Sequence, residues 1–484
     1  MLLVTAVLLS NAPIASADGP APGADLHVAQ SLGDRELTVV LRRVDAVPGP
    51  LRVDVVTHVG SPPGQLRLRL SPTGASTTPS TGHAASASEA TVRLGSTPGT
   101  YGGTLRVQQP GPQELLVDDG STVASIPFVV PVAVMSPAEK MAYAGFAAAG
   151  LLLAAALVAA ATARQSWLVA VPACGVVAAL AVAICAAVLS ASTPAPPVAG
   201  QDIDATVETV LDPYSVPHPA PGQASRPPVT MVVHSEAAAG GPAEVALFLT
   251  DGSSGRPVDD LLVHDSAFVH LLVVTPSMTL RHLHPVRVAP GEYRVRLADP
   301  EPGHYALAAE VVRRGGGVQL LRSPIGFDIA GTDLGPGHRP AGPGVRDAAG
   351  TSVHVSVTGA RSGEPTTIVA RFGDQADLQP WLGMVGHLIA VGPLAGSEST
   401  KAVERAPTWA HVHAMPPRAQ GSAAGGSDAG QPDETVGTYG PEASFTHTFP
   451  LPGRYRVWVQ AQRDYRLLTV PVTVDIAAGP VSGR

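Results

Sequence analysis

Two copies of one histidine pattern have the residue type and spacing that could bind a metal ion. His270 sits in an apolar run and is followed by His282-Leu283-His284; His387 sits in a second apolar run and is followed by His411-Val412-His413. Of the 16 histidines, 13 lie from His218 onward. On a strand, His-x-His puts both imidazoles on one face, about 6–7 Å apart by strand rise. A third imidazole from a neighbouring strand completes a trigonal set, and imidazole suits copper, zinc and nickel. The spacing makes His270, His282 and His284 one candidate metal site and His387, His411 and His413 another. Met278, Met384 and Met415 are the methionines nearest these histidines in sequence. Met384 and Met415 are secondary candidate ligands, since a thioether beside imidazoles favours copper(I); Met278 reads as apolar packing. His447 alternates with Phe445 and Phe449 and reads as a core or rim residue.

Two other readings of the same residues stand beside the metal one. Histidines on a half-buried sheet also serve as hydrogen-bonded packing, which would make this an envelope scaffold or adhesion protein whose sandwiches bind another protein. Clustered imidazoles also titrate near neutrality, which would give a pH-responsive surface. Catalysis finds no support. The chain has no His-Glu-x-x-His, Gly-x-Ser-x-Gly, Gly-x-x-x-x-Gly-Lys or Cys-x-x-Cys. The pairs Asp118-Asp119 and Asp259-Asp260 read as solvated turns, because neighbouring strand positions face opposite ways. We expect a non-enzymatic protein.

The elements that must position the histidines are strands. Period-2 alternation broken by Gly, Pro and Asp recurs throughout, as in Glu36–Leu41, Gln65–Leu70 and Tyr293–Leu297. An internal repeat accompanies it. Pro98-Gly99-Thr100-Tyr101 precedes Pro110-Gly111, Pro290-Gly291-Glu292-Tyr293 precedes Pro302-Gly303-His304-Tyr305, and Pro441-Glu442 precedes Pro452-Gly453-Arg454-Tyr455. Each copy ends in a strand expected to start at a proline: Pro127, Pro324 and Pro471. The expected fold is all-β, three immunoglobulin-like sandwiches, plus a two-helix transmembrane hairpin.

The hairpin follows from two uncharged apolar runs, residues 141–163 and 167–192, each longer than the ~20 residues that cross a hydrocarbon core. Residues 1–17 read as a signal peptide, an apolar start ending in Ala15-Ser16-Ala17. Arg164 in the tight turn marks that turn as cytoplasmic. The expectation is a two-span protein of the cell membrane, in contact with the lipid bilayer, with both flanking regions extracytoplasmic. The sandwiches then occupy residues 24–133, 229–330 and 351–478. Residues 193–228 form a Pro-rich spacer and 331–350 a second linker. Residues 417–437 form a polar low-complexity loop, long enough to be disordered. Small residues of the first span, Gly145 and Gly150 among them, are candidates for helix packing.

Composition narrows the partners. With 31 Lys+Arg against 39 Asp+Glu the net charge is −8, charged residues are 14% of the 484, and only Lys140 and Lys401 are lysines. Mean hydropathy is +0.20. No basic face is available to neutralise phosphates, so nucleic acid is excluded as a partner. The two cysteines, Cys174 and Cys185, both lie in the second apolar run, leaving no thiolate for a blue-copper centre outside it.

One stretch resembles a known group. Trp381-Leu-Gly-Met-Val-Gly-His387-Leu-Ile, then His411-Val-His413, then Phe449-Pro-Leu-Pro-Gly-Arg-Tyr-Arg-Val-Trp458-Val-Gln460 is similar to the C-terminal β-sandwich of bacterial exported proteins associated with copper and heavy-metal handling. Residues 229–330 resemble it more loosely through His270, His282-Leu-His284-Pro285 and Pro302-Gly303-His304-Tyr305. The pattern departs at Ala414, where a Pro usually follows the second His. The resemblance implies a membrane-anchored envelope protein with a His-rich face. Its partner would be an envelope protein or a metal acceptor. Few lysines amid much Ala, Gly, Pro and Arg point to a GC-rich, actinobacterial source.

Overall fold

The computed structural model describes residues 25–42, 44, 46–72, 88–130, 135–162, 164–165, 167–192, 226–237, 241–332, 341–396, 398–414 and 434–480. The expected signal peptide, most of the 193–228 spacer, residues 417–433 of the polar loop, and Met415 lie outside them.

Module one contains β1 (Leu26–Leu32), β2 (Arg35–Leu41), β3 (Gly49–Thr57), β4 (Gly64–Pro72), β5 (Ser88–Leu94), β6 (Gly99–Val107), β7 (Gly111–Asp118) and β8 (Val123–Val130). They form two antiparallel sheets, β1-β2-β3-β6 and β5-β4-β7-β8. Helices α1 (Pro137–Thr162) and α2 (Trp167–Ser192) follow. Module two has β9 (Val229–Ala237), β10 (Ala243–Asp251), β11 (Leu261–Leu262), β12 (Val269–Val274), β13 (Leu280–Leu283), β14 (Val286–Ala289), β15 (Glu292–Leu297), β16 (Gly303–Arg313), β17 (Gly317–Arg322) and β18 (Phe327–Ile329). Its sheets run β14-β15-β10-β9 and β11-β16-β12-β13, with β17 and β18 also on β16. Module three has β19 (Gly344–Ala348), β20 (Thr351–Thr358), β21 (Pro365–Phe372), β22 (Gly386–Gly392), α3 (Thr400–Arg405), β23 (Thr408–Ala414), β24 (Glu442–Thr448), β25 (Gly453–Arg463) and β26 (Arg466–Ile476). Its sheets are β19-β20-β21-β24 and β23-β22-β25-β26.

Modules one and three thus share one strand order, and module two repeats its central part. The fold is all-β, of immunoglobulin-like sandwiches, with a helical hairpin between modules one and two. The Pro-Gly-x-Tyr repeat has a structural cause. Tyr101, Tyr305 and Tyr455 each donate from the hydroxyl to a carbonyl four residues upstream, on Thr97 (2.5 Å), Glu301 (2.9 Å) and Leu451 (2.9 Å). Tyr101 makes this contact from β6, the counterpart of β24; on the equivalent strands β16 and β25 it is the tyrosine corner of sandwich folds. Gly453 makes room for it: φ is +132°, and a Cβ there would lie 2.6 Å from Pro393 Cβ. Tyr455→Phe, which keeps the ring, is expected to cost about 1 kcal/mol, measured as a shift in urea midpoint at unchanged slope.

Several boundaries differ from the sequence reading. Pro127 and Pro471 lie inside β8 and β26 rather than at their starts, and Pro324 precedes β18. β8 and β26 are edge strands, where a missing N–H breaks no ladder. The second linker is shorter than 331–350, because β19 pairs with β20 from Gly344↔Val355 to Ala348↔Thr351. The polar loop is fixed at its end: Glu434 is buried and accepts from Leu382 N at 3.0 Å. Asp119 and Asp259 face Arg35 and Arg287, and Asp260 faces Arg313, so these pairs are ion-paired rather than merely solvated.

Helix α1 begins at Pro137, four residues before the apolar run. Ser136 and Glu139 form a capping box, Ser136 N to Glu139 Oε2 at 2.7 Å and Glu139 N to Ser136 Oγ at 3.1 Å. Both helices are long and apolar enough to cross a membrane. Gly145 packs tightly on α2, where a Cβ would meet Ala183 Cβ at 2.9 Å; Gly150 has nothing within 4 Å and plays no part.

Candidate metal centre

Strands β12 and β22 are buried along their whole length, so both faces of each must be covered. On β12, Val269, Leu271 and Val273 point into the module's own core, and Leu272 and Val274 point out of it. On β22, Leu388 and Ala390 point in, and Ile389 and Val391 point out. The two outward faces pack on each other, with Leu280, Ala306 and Ala308 of module two against Val403, Trp409 and Trp458 of module three. His270 and His387 belong to these outward faces by alternation.

Register makes the two halves equivalent. His270 pairs with Glu310 and Leu272 with His282; His387 pairs with Gln460 and Ile389 with His411. His282 therefore corresponds to His411, and Glu310 to Gln460. The turns before the strands also correspond, with bridges His264↔Ala267 and Trp381↔Met384.

Within each triad one donor nitrogen per histidine lies within 4.8 Å of the others. The two triads lie side by side. His282 lies 5.0 Å from His411 and 5.5 Å from His387, centroid to centroid, and His270 lies 5.4 Å from His411. Six imidazoles form one cluster between two sandwiches. Module one closes it from a third side: Ser31 N donates to the His284 carbonyl at 2.8 Å, His284 N donates to Ser31 Oγ at 2.8 Å, and Ala29 N donates to Ser266 O.

The partners of the outer ring nitrogens fix the tautomers. His270 Nε2 donates to the His264 carbonyl at 2.9 Å, which leaves Nδ1 as a lone pair. Gln460 Nε2 donates to Thr469 Oγ1, so its Oε1 accepts from His282 Nδ1 at 3.1 Å, and His282 Nε2 is a lone pair. These two lone pairs face each other at 3.3 Å. In module three the close pair is His411 and His413, the counterparts of His282 and His284. His411 Nδ1 is 3.4 Å from Glu310 Oε1 and His413 Nδ1 is 3.3 Å from Asp265 Oδ2. Their Nε2 atoms lie 3.3 Å apart. Among the described residues, neither ring nitrogen of the fully buried His387, nor Nε2 of His284, nor Nδ1 of His411 has a hydrogen-bond partner. An unsatisfied buried polar atom costs about 1–3 kcal/mol, so this donor set fits a cation at each triad.

Burial, then repulsion from neighbouring imidazoles, pushes His270, His282 and His387 well below the usual histidine value. Burial and His411 push His413 down to about 3. These rings are neutral at pH 7, the form that ligates metals. Burial opposes ionisation of Glu310, but His411, His413 and His264 outweigh it and hold the carboxyl below its ordinary range.

His264, Asp265 and Glu310 form a third group with donor atoms within 4.8 Å of one another. Sequence reasoning missed all three. A lone Glu inside the apolar stretch Tyr305–Val312 was the visible signal for Glu310. Met384 is buried in the turn with Trp381, and Met278 packs between the modules. His447 packs edge-on against Phe449, 4.8 Å away.

Residues 346–478, nearly all of module three, match the family model of a domain of unknown function, DUF8832. No curated protein matches the sequence. Among solved structures, a tetra-tandem repeat in the extending region of a large adhesion protein is 10% identical, covers 95% of this chain and 93% of that one, and has a TM-score of 0.15. Fibronectin(III)-like modules of Clostridium thermocellum CbhA are 12% identical over 53% of this chain and 98% of theirs, TM-score 0.14. The FN1–FN3 domains of chicken CNTN1 are 8% identical over 94% and 99%, TM-score 0.13. Scores of this size say nothing about ligand, activity or partner.

Proposed function

We propose that this chain is a membrane-anchored, extracytoplasmic metal-binding protein, copper first and zinc second, that sequesters the ion or hands it to an acceptor. The observation that carries the reading is the convergence of three imidazoles in each triad, with facing lone pairs at His270 and His282. The partners on the outer nitrogens leave lone pairs 3.3 Å apart at His270 Nδ1 and His282 Nε2, and in the other triad His411 Nε2 and His413 Nε2 also lie 3.3 Å apart. Two lone pairs at that separation repel unless a cation lies near both. The triads would supply His270, His282 and His284 on one side and His387, His411 and His413 on the other, with their N–H groups oriented by Gln460, Glu310, Asp265 and the His264 carbonyl. Helices α1 and α2 would anchor the sandwiches, with Arg164 on the cytoplasmic side. The role is binding rather than catalysis.

The test is a titration of the full chain in detergent with copper(I), copper(II) and zinc, beside a variant carrying His282→Ala, His284→Ala, His411→Ala and His413→Ala, with folding followed by circular dichroism. Two tightly bound ions per chain are expected, both lost in the folded variant. Weak binding equal in the two would sink the reading and leave a scaffold whose sandwiches bind another protein.

A further inference from the structure

The two triads correspond residue for residue, yet their surroundings carry different charge. Behind the module-three triad stand two carboxylates from module two, Glu310 Oε1 at 3.4 Å from His411 Nδ1 and Asp265 Oδ2 at 3.3 Å from His413 Nδ1. Glu310 is buried and Asp265 half-buried. Behind the module-two triad the equivalent positions are neutral. Gln460 replaces Glu310 and accepts from His282 Nδ1, and Leu382 replaces Asp265. Trp381 covers the rest, its ring 5.0 Å from His282 and 5.7 Å from His284. Near that triad, among the described residues, Glu36 of module one lies 3.9 Å from His284 Nδ1 with its side chain 43% exposed to solvent, while Glu310, the cross-strand neighbour of His270, turns its carboxylate to His264 and His411.

We propose that the two triads hold ions of different charge: His387, His411 and His413 take a divalent cation, and His270, His282 and His284 take copper(I). This rests on the metal-binding reading and adds a division of labour to it. Three neutral imidazoles bring no charge, so a buried dication depends on the groups behind its ligands to offset it. Glu310 and Asp265 place two negative charges within 3.4 Å of the ligand imidazoles, which offsets a dication. At the other triad an amide and an indole supply none, and a soft monovalent ion leaves the smallest uncompensated charge. Imidazole is a competent ligand for both ions.

The experiment uses the full chain, with zinc(II) as the redox-inert dication and silver(I) as the redox-inert soft monocation. In the wild type we expect the first zinc equivalent to survive His282→Ala/His284→Ala and to vanish with His411→Ala/His413→Ala. Silver should show the reverse. Glu310→Gln with Asp265→Asn keeps shape and removes both charges; it should weaken zinc binding 10- to 100-fold and change silver binding less than about threefold. The converse variant, Gln460→Glu, should raise zinc affinity at the module-two triad, a gain that misfolding cannot produce. Equal zinc loss from both triad variants would overturn the division. So would a fall in zinc and silver affinity together in the carboxylate variant, or no change in either. A zinc equivalent that survives both triad variants but not Glu310→Gln/Asp265→Asn would place the dication at His264, Asp265 and Glu310, and would overturn it too. If the wild type binds neither ion, the metal reading itself fails, which is a distinct result.

Discussion

Lowering the pH from 7.5 to 5.5 in a chelator should cost the folded protein several kcal/mol. Four buried imidazoles set the sign. Burial first, then neighbouring imidazoles, depress His270, His282 and His387 well below 6.5, and His413 to about 3. Unfolded histidine binds its proton near 6.5. Below that pH the unfolded chain takes up protons that the folded chain refuses, so stability falls as pH falls. The slope is about 1.4 kcal/mol per imidazole per pH unit, or about 5 kcal/mol for four at pH 5.5. His58 works the other way. Burial alone would lower it, but Glu434 and the Glu36 carbonyl raise it, so its contribution is full below 6.5 and fades above its raised value. One group against four leaves the net sign unchanged. Thermal unfolding followed by near-ultraviolet circular dichroism at pH 7.5, 6.5 and 5.5 checks this. A midpoint that holds steady or rises on acidification defeats the picture of four buried neutral imidazoles. Zinc added at pH 7.5 should raise the midpoint with its concentration, since it binds only the folded chain.

Trp458→Ala should cost about 3–5 kcal/mol and also weaken zinc binding tenfold or more. Trp458 is 1% exposed at the centre of the contact between modules two and three, beside Ile389, Val391, Leu272 and Ala308, with the Arg456 guanidinium 5.5 Å from its ring. The two effects are linked through the site. Each triad belongs to one module, but most acceptors that orient its outer N–H groups belong to the other: Gln460 for His282, Glu310 for His411, Asp265 for His413. Loosening the contact releases those N–H groups. Phe372→Ala supplies the comparison, because Phe372 is fully buried in module three's own core, away from this contact. It should cost a similar amount in stability and leave zinc affinity unchanged. Equal losses of affinity in the two variants would mean that the interface has no special role.

The triads were legible as sets of residues. His411-Val412-His413 alternates about a residue that packs inward, and one register places His387 opposite His413. His284 lies just past the end of β13, yet its ring stays 5.1 Å from that of His282. The helical hairpin was legible from two uncharged runs, although its polar first turn was not, because a capping box carries no apolar signal. The tyrosine corners were legible as a repeat before their hydrogen bonds gave the reason. Glu310 and Asp265 were passed over, since a single acid beside a strand usually means an exposed position.

By itself the sequence determined the strands, the helical pair and the face on which each histidine lies. Alternation is a local property, written every second residue along the chain. It also showed that β12 and β22 are apolar on both faces and so must be covered twice. Which surface does the covering is not local. Tertiary structure decided that the outward faces of modules two and three cover each other, which joins two triads into one buried cluster. The same contact set Glu310 and Asp265 behind one triad and Gln460 behind the other. That difference in charge depends on residues far apart in sequence meeting across an interface, and no spacing within either module encodes it.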